Sequence, residues 1–339
     1  MISSYRAYGL RCVSNLAIPG FWPEPPDRQP TDLDLRCWIN TKQPDWACEA
    51  RTLPSRLCYP ESAVETAATS GCTLTSFGSD EFFELAYGDG ARFVFDSAGT
   101  RLSAIGPPPL SMDDLATYLR GPVMGFVLRR RGLTSLHAAA ACVGEHGILF
   151  CGAIEAGKST TVAALALRRI PILSDDISAL READGRFQVE PGYPWICLWP
   201  DAVLNLFGKA DALPQLTPTW EKRYLSLGSG GFEPVRRPLG AVYLLAPRTN
   251  EPSAPRVEGI SARDAVLELV QNTYMNWLLD SRQRAAELDV LSRLVSSVPV
   301  RRLVPHVDPG RIGLLCDQVV RDVEATIGRQ SFVSLASPR

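Results

Sequence analysis

The sequence lacks most features that mark secreted, membrane-bound or nucleic-acid-binding proteins. Its nine cysteines include no C-x-x-C pair, so they fit neither a disulfide framework nor a zinc site, and reduced thiols are expected. A net charge of −2 provides no broad basic surface. No apolar run approaches the roughly 18 residues of a membrane span, and the N-terminus M-I-S-S-Y-R lacks the apolar region of a signal peptide. We therefore expect a cytoplasmic protein without a nucleic-acid or membrane partner.

The 339 residues, 45% hydrophobic and 21% charged, have the composition of an ordinary globular protein with ample core. Residues 1–110 have a β-rich pattern, with short apolar stretches separated by turn sequences such as Gly88-Asp89-Gly90. Gly106–Pro109 is the best candidate linker. We therefore expect a β-rich domain over 1–110 and a second domain over 111–330. The first region contains no recognisable catalytic cluster.

The clearest motif is G-A-I-E-A-G-K-S, Gly152 to Ser159, which matches the Walker A phosphate-binding pattern. An apolar strand pattern, Gly147–Cys151, precedes it, and a helical pattern, Lys158–Arg169, follows. In this setting the backbone N–H groups of the turn and the helix N-terminus point at one spot and bind a polyphosphate. Lys158 would reach the β- and γ-phosphates, and the Ser159 hydroxyl would hold Mg²⁺. The predicted nucleotide-binding residues are Gly152, Ala153, Ile154, Glu155, Ala156, Gly157, Lys158, Ser159 and Thr160.

Two adjacent carboxylates follow the next predicted strand, Pro171–Ser174. Strand, helix and strand form a βαβ unit, so the second strand is parallel to the first and lies either next to it or one strand away in the sheet. Asp175 and Asp176 would then lie at the same sheet edge as the phosphate-binding turn. One acid suits metal orientation and the other suits general-base catalysis. The alternative is a structural pair at a turn or helix N-cap.

His137 lies on the strand pattern Thr134–Val143, which Gly144–Gly147 joins to the strand before the phosphate-binding turn. If Val143 pairs with Ile148, His137 falls opposite Ile154. This register predicts a histidine at the phosphate site, and the alternative is a hydrogen-bonded core histidine.

Lys222-Arg223 lies in a predicted loop from Pro214 to Gly231. A cationic pair on such a loop could stabilise transferred phosphate charge, or it could be a solvated face, and both interpretations stay open.

Taken together, His137, the loop Gly152–Ser159 and Ser174-Asp175-Asp176 resemble the catalytic core of the HPr kinase/phosphorylase family, which is related in fold to phosphoenolpyruvate carboxykinases. The Asp-Asp pair of that family follows the lysine by about seventeen residues, as Asp175 follows Lys158 by seventeen here. The wider chain, with L-H-A-A-A, P-G-Y-P-W and L-W-P-D-A, is more similar to stand-alone HPr-kinase-like serine kinases. Some of these phosphorylate a serine of a ribosomally made peptide precursor, notably in lasso-peptide pathways.

The resemblance implies an α/β fold with a P-loop kinase core and an N-terminal β-rich domain. It implies an ATP- and Mg²⁺-dependent transferase acting on a serine or threonine of a peptide or protein. It also implies a catalytic set of Lys158, Asp175, Asp176 and His137, with Mg²⁺ at Ser159 and Asp176. The chain departs from the family in its front region. It also lacks the glycine-rich signature after the Asp-Asp pair, so neither HPr as acceptor nor phosphorolysis is implied.

Two other functions compete with the kinase. A nucleotide-binding sensor or assembly protein would need the phosphate-binding turn but not the acid pair. The segment Leu227–Phe232, L-G-S-G-G-F, partly matches the signature of transport-type ATPases, but it lacks the final glutamine of that signature. The sequence leaves homo-oligomer formation open.

Overall fold

A computed structural model describes residues 2–24, 35–39, 43–59 and 71–335. The chain divides into two compact units. The N-terminal unit comprises Met1–Leu133 with Thr217–Thr219 and Trp277–Leu279, and the second unit comprises the remainder. Within the described ranges, no helix is long and apolar enough to cross a membrane.

The N-terminal unit is built on one large, mostly antiparallel sheet. Its strands are β1 (Ser3–Ala7), β2 (Leu10–Ser14), β3 (Pro23–Glu24), β4 (Leu35–Ile39), β5 (Ser55–Tyr59), β6 (Cys72–Phe77), β7 (Phe82–Tyr87), β8 (Arg92–Asp96) and β9 (Arg101–Ile105), with helix α1 (Asp45–Ala50) between β4 and β5. The order is β3-β1-β2-β4-β9-β8-β7-β6-β5, and only β2–β4 and β4–β9 are parallel. Residues 1–110, for which the sequence predicts a β-rich domain, contribute these nine strands.

Two helices complete the N-terminal unit, α2 (Met112–Tyr118) and α3 (Met124–Arg130), separated by a kink at Gly121-Pro122. Ser111 and Asp114 form a capping box at the start of α2. Phe126 of α3 packs on Phe83 and Phe95 of the sheet, with ring centroids 5.4 and 5.0 Å apart. Because these helices pack on the first sheet, the compact units divide after Leu133, later than the boundary expected at residue 110.

The second unit contains a mixed sheet with helices on both faces. Its strands are β10 (Thr134–Val143), β11 (His146–Cys151), β12 (Ile172–Ser174), β13 (Ile177–Ala183), β14 (Arg186–Glu190), β15 (Trp195–Leu198), β16 (Gln215–Thr217), β17 (Trp220–Ser226), β18 (Arg237–Leu245), β19 (Arg256–Gly259) and β20 (Val300–Val304). Its helices are α4 (Lys158–Leu167), α5 (Pro200–Phe207), α6 (Ala262–Gln271), α7 (Ser281–Ser297) and α8 (Ile312–Leu335). The main sheet runs β11-β10-β13-β14-β18-β20-β19, and β11 also pairs with β18.

Alternation along β10 and β11 separates two core layers. Ala139 and Phe150 belong to the layer that includes side chains of α4 and α8. Ala138 and Leu149 belong to the layer that includes side chains of α6 and α7. Both strands are therefore buried on two faces, which explains their nearly continuous apolar sequence.

The predicted crossover is present. Strand β12 is antiparallel to β10, and β10 is antiparallel to β11. Strand β12 is therefore parallel to β11 and is separated from it by β10. Strand β18 is the parallel neighbour of β11 on its other side. Parallel strands end at a common edge, so the segments after β11, β12 and β18 leave the sheet together.

Two local predictions were wrong. Val143 pairs with His146, not with Ile148, because the hairpin turns through only Gly144-Glu145, with Gly144 in the left-handed region at φ +58°. The predicted loop from Pro214 to Gly231 contains strands β16 and β17, and β17 pairs with β15 over Trp195–Leu198. Tertiary pairing outweighs the turn-like composition of that segment.

Candidate phosphate-binding and acid-pair site

The phosphate loop, which we define as Gly152–Gly157, joins β11 to α4. Gly157, immediately before α4, has φ +105°, and L side chains rarely adopt that conformation. A Cβ on Gly152 would come within 3.1 Å of Ala156 Cβ and 3.2 Å of Leu245 Cβ. A side chain at either position would therefore strain the loop, at Gly157 through the backbone conformation and at Gly152 through close contacts. The first N–H groups of α4 have no partner within the helix, so the loop presents donors to an anion.

Lys158 is nearly buried, with 6% of its surface exposed. Its Nζ donates to the carbonyl oxygens of Gly152, at 2.8 Å, and Ala153, at 2.9 Å. Burial lowers the pKa of Lys158, and the negative charges of Asp176 and Asp175 oppose that shift. The ammonium thus closes the loop, and phosphate oxygens are chemically suited to replace the two carbonyls.

Asp175 is buried, and both carboxylate oxygens accept hydrogen bonds. Ser159 Oγ donates to Oδ1 at 2.7 Å, and the backbone N–H of Cys197 donates to Oδ2 at 2.8 Å. Burial raises the pKa of Asp175, although both hydrogen bonds oppose the rise. The site therefore links Asp175 to the hydroxyl at the start of α4.

Asp176 has the opposite environment. Its backbone lies in the left-handed region at φ +66°, and 40% of its side chain is exposed. His137 Nε2 lies 3.4 Å from Oδ1, and the Tyr274 hydroxyl donates to Oδ2 at 3.1 Å. Burial of the carboxylate would raise the pKa of Asp176, but hydrogen bonding and charge from His137 keep it below its ordinary value. The carboxylate is accessible, charged at neutral pH and held from two sides.

His137 reaches this position by a different route from the predicted one. Its pairing partner is Ile177 of β13, the residue that follows Asp176, and the β10–β11 pairing stops at Ala138. The backbone N–H of His137 donates to the Asn272 carbonyl at 2.7 Å. Pairing with β13 therefore places the imidazole of His137 beside the acid pair, and the predicted pairing of His137 with Ile154 does not occur.

Sequence patterns missed three residues at the site. Asn272, which ends α6, accepts from the Gly152 N–H through Oδ1 at 2.9 Å. Tyr274 holds Asp176, as described above. Arg248 Nη2 lies 3.5 Å from the Glu155 carbonyl oxygen, at the edge where β18 ends. An asparagine after a helix is an ordinary C-cap, so only the fold shows that Asn272 supports the phosphate loop.

The other predicted positions occupy the loop and the first turn of α4. Ala153, Ile154 and Glu155 are exposed, and Glu155 is left-handed at φ +64°. Ala156 and Thr160 are half-buried. Within the described ranges, no cluster of three or more His, Cys, Asp or Glu side chains forms a candidate metal cage. Any divalent cation here would need oxygens from Ser159, an aspartate, phosphate and water, which is the usual coordination of Mg²⁺.

The side chains of Lys222 and Arg223 have different surroundings in the structure. Adjacent strand residues face opposite ways, and Lys222 Nζ lies 5.0 Å from the ring centroids of both Trp199 and Trp220. Arg223 Nη1 instead lies 3.5 Å from the Leu213 carbonyl oxygen. The pair therefore does not act as a unit on a loop.

Comparison with known proteins gives only a distant structural relationship. No protein-family model matches the chain. No curated protein matches it either. Among solved structures, the chain is similar to the HPr(Ser) kinase/phosphatase from Coxiella burnetii, with 15% sequence identity and a TM-score of 0.32. The match covers 60% of this chain and 99% of that chain.

Proposed function

We propose that this chain is an ATP- and Mg²⁺-dependent kinase that phosphorylates a serine or threonine hydroxyl of a peptide or protein, such as a ribosomal peptide precursor. One observation carries the proposal. The phosphate loop and two aspartates in contrasting environments meet at one edge of the sheet, through the Ser159–Asp175 hydrogen bond and the His137–Asp176 contact. A nucleotide sensor needs the loop but has no use for an exposed acid held beside it.

The residues present fit a magnesium nucleotide. The loop N–H groups and Lys158 would hold the phosphates, and Arg248 stands beside the loop as a second cation. Ser159 and Asp175 would hold Mg²⁺ directly or through water. The sequence-based proposal put Asp176 on the metal, but the Ser159–Asp175 hydrogen bond favours Asp175 for this role. When bound, Mg-ATP would supply the γ-phosphoryl group.

Asp176 is then the general base. Its side chain is 40% exposed, whereas Asp175 is buried and its carboxylate is directed at Ser159 and Cys197. Asp176 would take the proton of the acceptor hydroxyl as the new O–P bond forms and the bond from the γ-phosphorus to the bridging oxygen breaks, leaving ADP. His137 and Tyr274 fix the carboxylate, and Lys158 is placed to stabilise charge on the phosphates.

Lys158→Ala tests the proposal. We expect this variant to lose most ATP affinity, or most transfer of labelled γ-phosphate to serine peptides, since it removes the buried cation of the loop. Calorimetry with Mg-ATP and a radiolabel assay measure the two effects. Lys209→Ala, an exposed lysine outside the site, is the control. Tight ATP binding by the wild type with no labelling across a broad peptide panel would favour the sensor.

A further inference from the structure

Strands β15 and β17 pair in a three-stranded sheet, β15-β17-β16, and the two faces of this pair differ. Directly opposite residues in an antiparallel pair share a face, and Ile196 pairs with Leu225 while Cys197 pairs with Tyr224. Ile196 and Leu225 belong to the core layer with α4. Cys197 and Tyr224 therefore lie on the face turned away from that core.

That outer face carries a row of aromatic rings. Trp195 stacks on Tyr224, with ring centroids 3.8 Å apart and planes at 13°. Trp199 and Trp220 meet edge to face at 6.3 Å, with 40% and 42% of their surfaces exposed. Lys222 lies against both indoles. We call Trp195, Trp199, Trp220, Lys222 and Tyr224 the aromatic face.

The aromatic face begins beside the acid pair. The Cys197 N–H, on the edge of β15 away from β17, donates to Asp175 Oδ2 at 2.8 Å. Lys222 is two residues from Tyr224, the partner of Cys197, which is about 7 Å along a strand. Burial is the largest influence on both aspartates and acts to raise the pKa of Asp175 and of Asp176. The positive charge of Lys222 acts on each pKa in the opposite direction.

We propose that the aromatic face binds the acceptor peptide, and that it selects an extended segment in which an acidic side chain meets Lys222 and an apolar or aromatic side chain packs on the indoles. This inference rests on the proposed kinase function, because the face is assigned as an acceptor site from its position beside Asp175 and Asp176. Exposed tryptophans with a nearby cation are typical of residues that dominate binding at an interface. Lys222 gives the face a positive charge, so an acidic segment is complementary.

Geometry limits where the acidic residue lies in the segment. The acceptor hydroxyl must reach Asp176, which follows Asp175, the acceptor of the Cys197 N–H. Lys222 lies about 7 Å along β17 from Tyr224, the residue opposite Cys197. An extended peptide therefore brings an acidic residue to Lys222 when that residue is roughly two to four positions from the serine.

Synthetic peptides with one central serine test this proposal on the full chain. In each peptide, one position within four residues of the serine carries aspartate, asparagine or arginine. The other positions within that range carry either tryptophan or alanine. Labelling from γ-labelled ATP measures transfer, and anisotropy of the fluorescein-tagged peptides measures binding without transfer. For wild type we expect the best aspartate peptide to exceed its asparagine counterpart by roughly two- to fivefold, as for a partly exposed charge pair.

Charge variants then identify the cation. Lys222→Met should abolish the aspartate preference, and Lys222→Glu should reverse it in favour of arginine. Lys209→Met is the matched lysine control and should keep the wild-type preference. Trp199→Ala should raise KM for peptide about tenfold. Trp22→Ala, which removes a tryptophan that is also 40% exposed, should not. Thermal unfolding of each variant checks that it is folded.

The outcomes separate this inference from the kinase proposal. Transfer without an aspartate preference, or a preference that survives Lys222→Glu, overturns the inference and leaves the kinase intact. An equal loss for aspartate and asparagine peptides also overturns it, since Lys222 would then act on the acid pair alone. A rise in KM for ATP in Trp199→Ala would assign the face to the nucleotide. If the peptides bind with the expected preference but are not phosphorylated, the face is supported as a peptide-binding surface and the kinase proposal is wrong. If the peptides are neither bound nor phosphorylated, the acceptor-site proposal is wrong.

Discussion

Two neighbouring aspartates differ in almost every physical respect. Asp175 accepts from Ser159 and Cys197 and is buried, whereas Asp176 is accessible and contacts His137 and Tyr274. The left-handed backbone at Asp176, the second residue after β12, allows both side chains to reach the site. In regular strand geometry, one of two successive side chains would point away.

Amide substitution separates the two roles. Asp176→Asn should keep ATP binding and lower transfer by about 10²- to 10⁴-fold, the usual contribution of a positioned base. Asp175→Asn should raise the Mg²⁺ concentration needed for activity and lower the melting temperature, because an amide has one acceptor oxygen for two donors. Nucleotide calorimetry, Mg²⁺ titration of the rate and thermal unfolding measure these effects. If Asp176→Asn retains full transfer, the assignment of the base is wrong.

His137 predicts a pH dependence. Hydrogen bonding and charge from His137 keep the pKa of Asp176 below its ordinary value, against the effect of burial. His137→Asn removes that opposition, so the pKa of Asp176 should rise and the acid limb of kcat/KM should move to higher pH. His146→Asn makes the same change at the far end of β11 and should leave the profile unaltered. An acid limb that stays in place in His137→Asn would contradict this role.

At the scale of elements, local sequence signals predicted the phosphate loop and the elements that flank it, although they gave the wrong register for the β10–β11 hairpin. The glycines of the phosphate loop, the flanking apolar runs and the Asp-Asp pair at a strand end all lie within residues 147–176, and β11, α4 and β12 form as expected.

Other features depend on contacts between distant segments. Asn272 supports Gly152 across 120 positions of sequence, and no local pattern distinguishes it from an ordinary helix cap. The strand containing Lys222 forms because β15 pairs with β17, although the surrounding composition is typical of a loop. The position of His137 follows from β13, an element that the hairpin argument did not use.

The link between α6 and the phosphate loop can be measured. Asn272→Ala leaves the Gly152 N–H without its side-chain acceptor, which should cost about 1–3 kcal/mol of stability if the group stays unsatisfied. It should also raise KM for ATP, because the loop loses its anchor at the first glycine. Asn205→Ala, an exposed position on α5, is the control. Unchanged stability and unchanged KM for ATP in Asn272→Ala would exclude a supporting role.

At the scale of the whole molecule, thiol chemistry tests the two compact units together. All nine cysteines lie in the described ranges, and none forms a disulfide. Cys48 is exposed, Cys58 and Cys197 are half-buried, and the other six are buried. Burial raises the pKa of Cys37 and Cys151 to about 12, and of Cys72 and Cys316 to about 11. Because the thiolate is the reactive form, these four should be inert while the chain is folded.

An aromatic disulfide reagent at mildly alkaline pH should therefore modify Cys48 rapidly and Cys58 and Cys197 more slowly, and the six buried thiols only after unfolding. Cys48→Ser should remove the rapid phase, whereas Cys316→Ser should leave native labelling unchanged. Unfolded protein should react at all nine sites without prior reduction, and reductant should not shift the melting temperature. Fewer than nine reactive thiols in denaturant would reveal a disulfide. Rapid labelling of Cys37 or Cys151 in native protein would show that its core opens at equilibrium, since a buried thiol reacts only after its packing is lost.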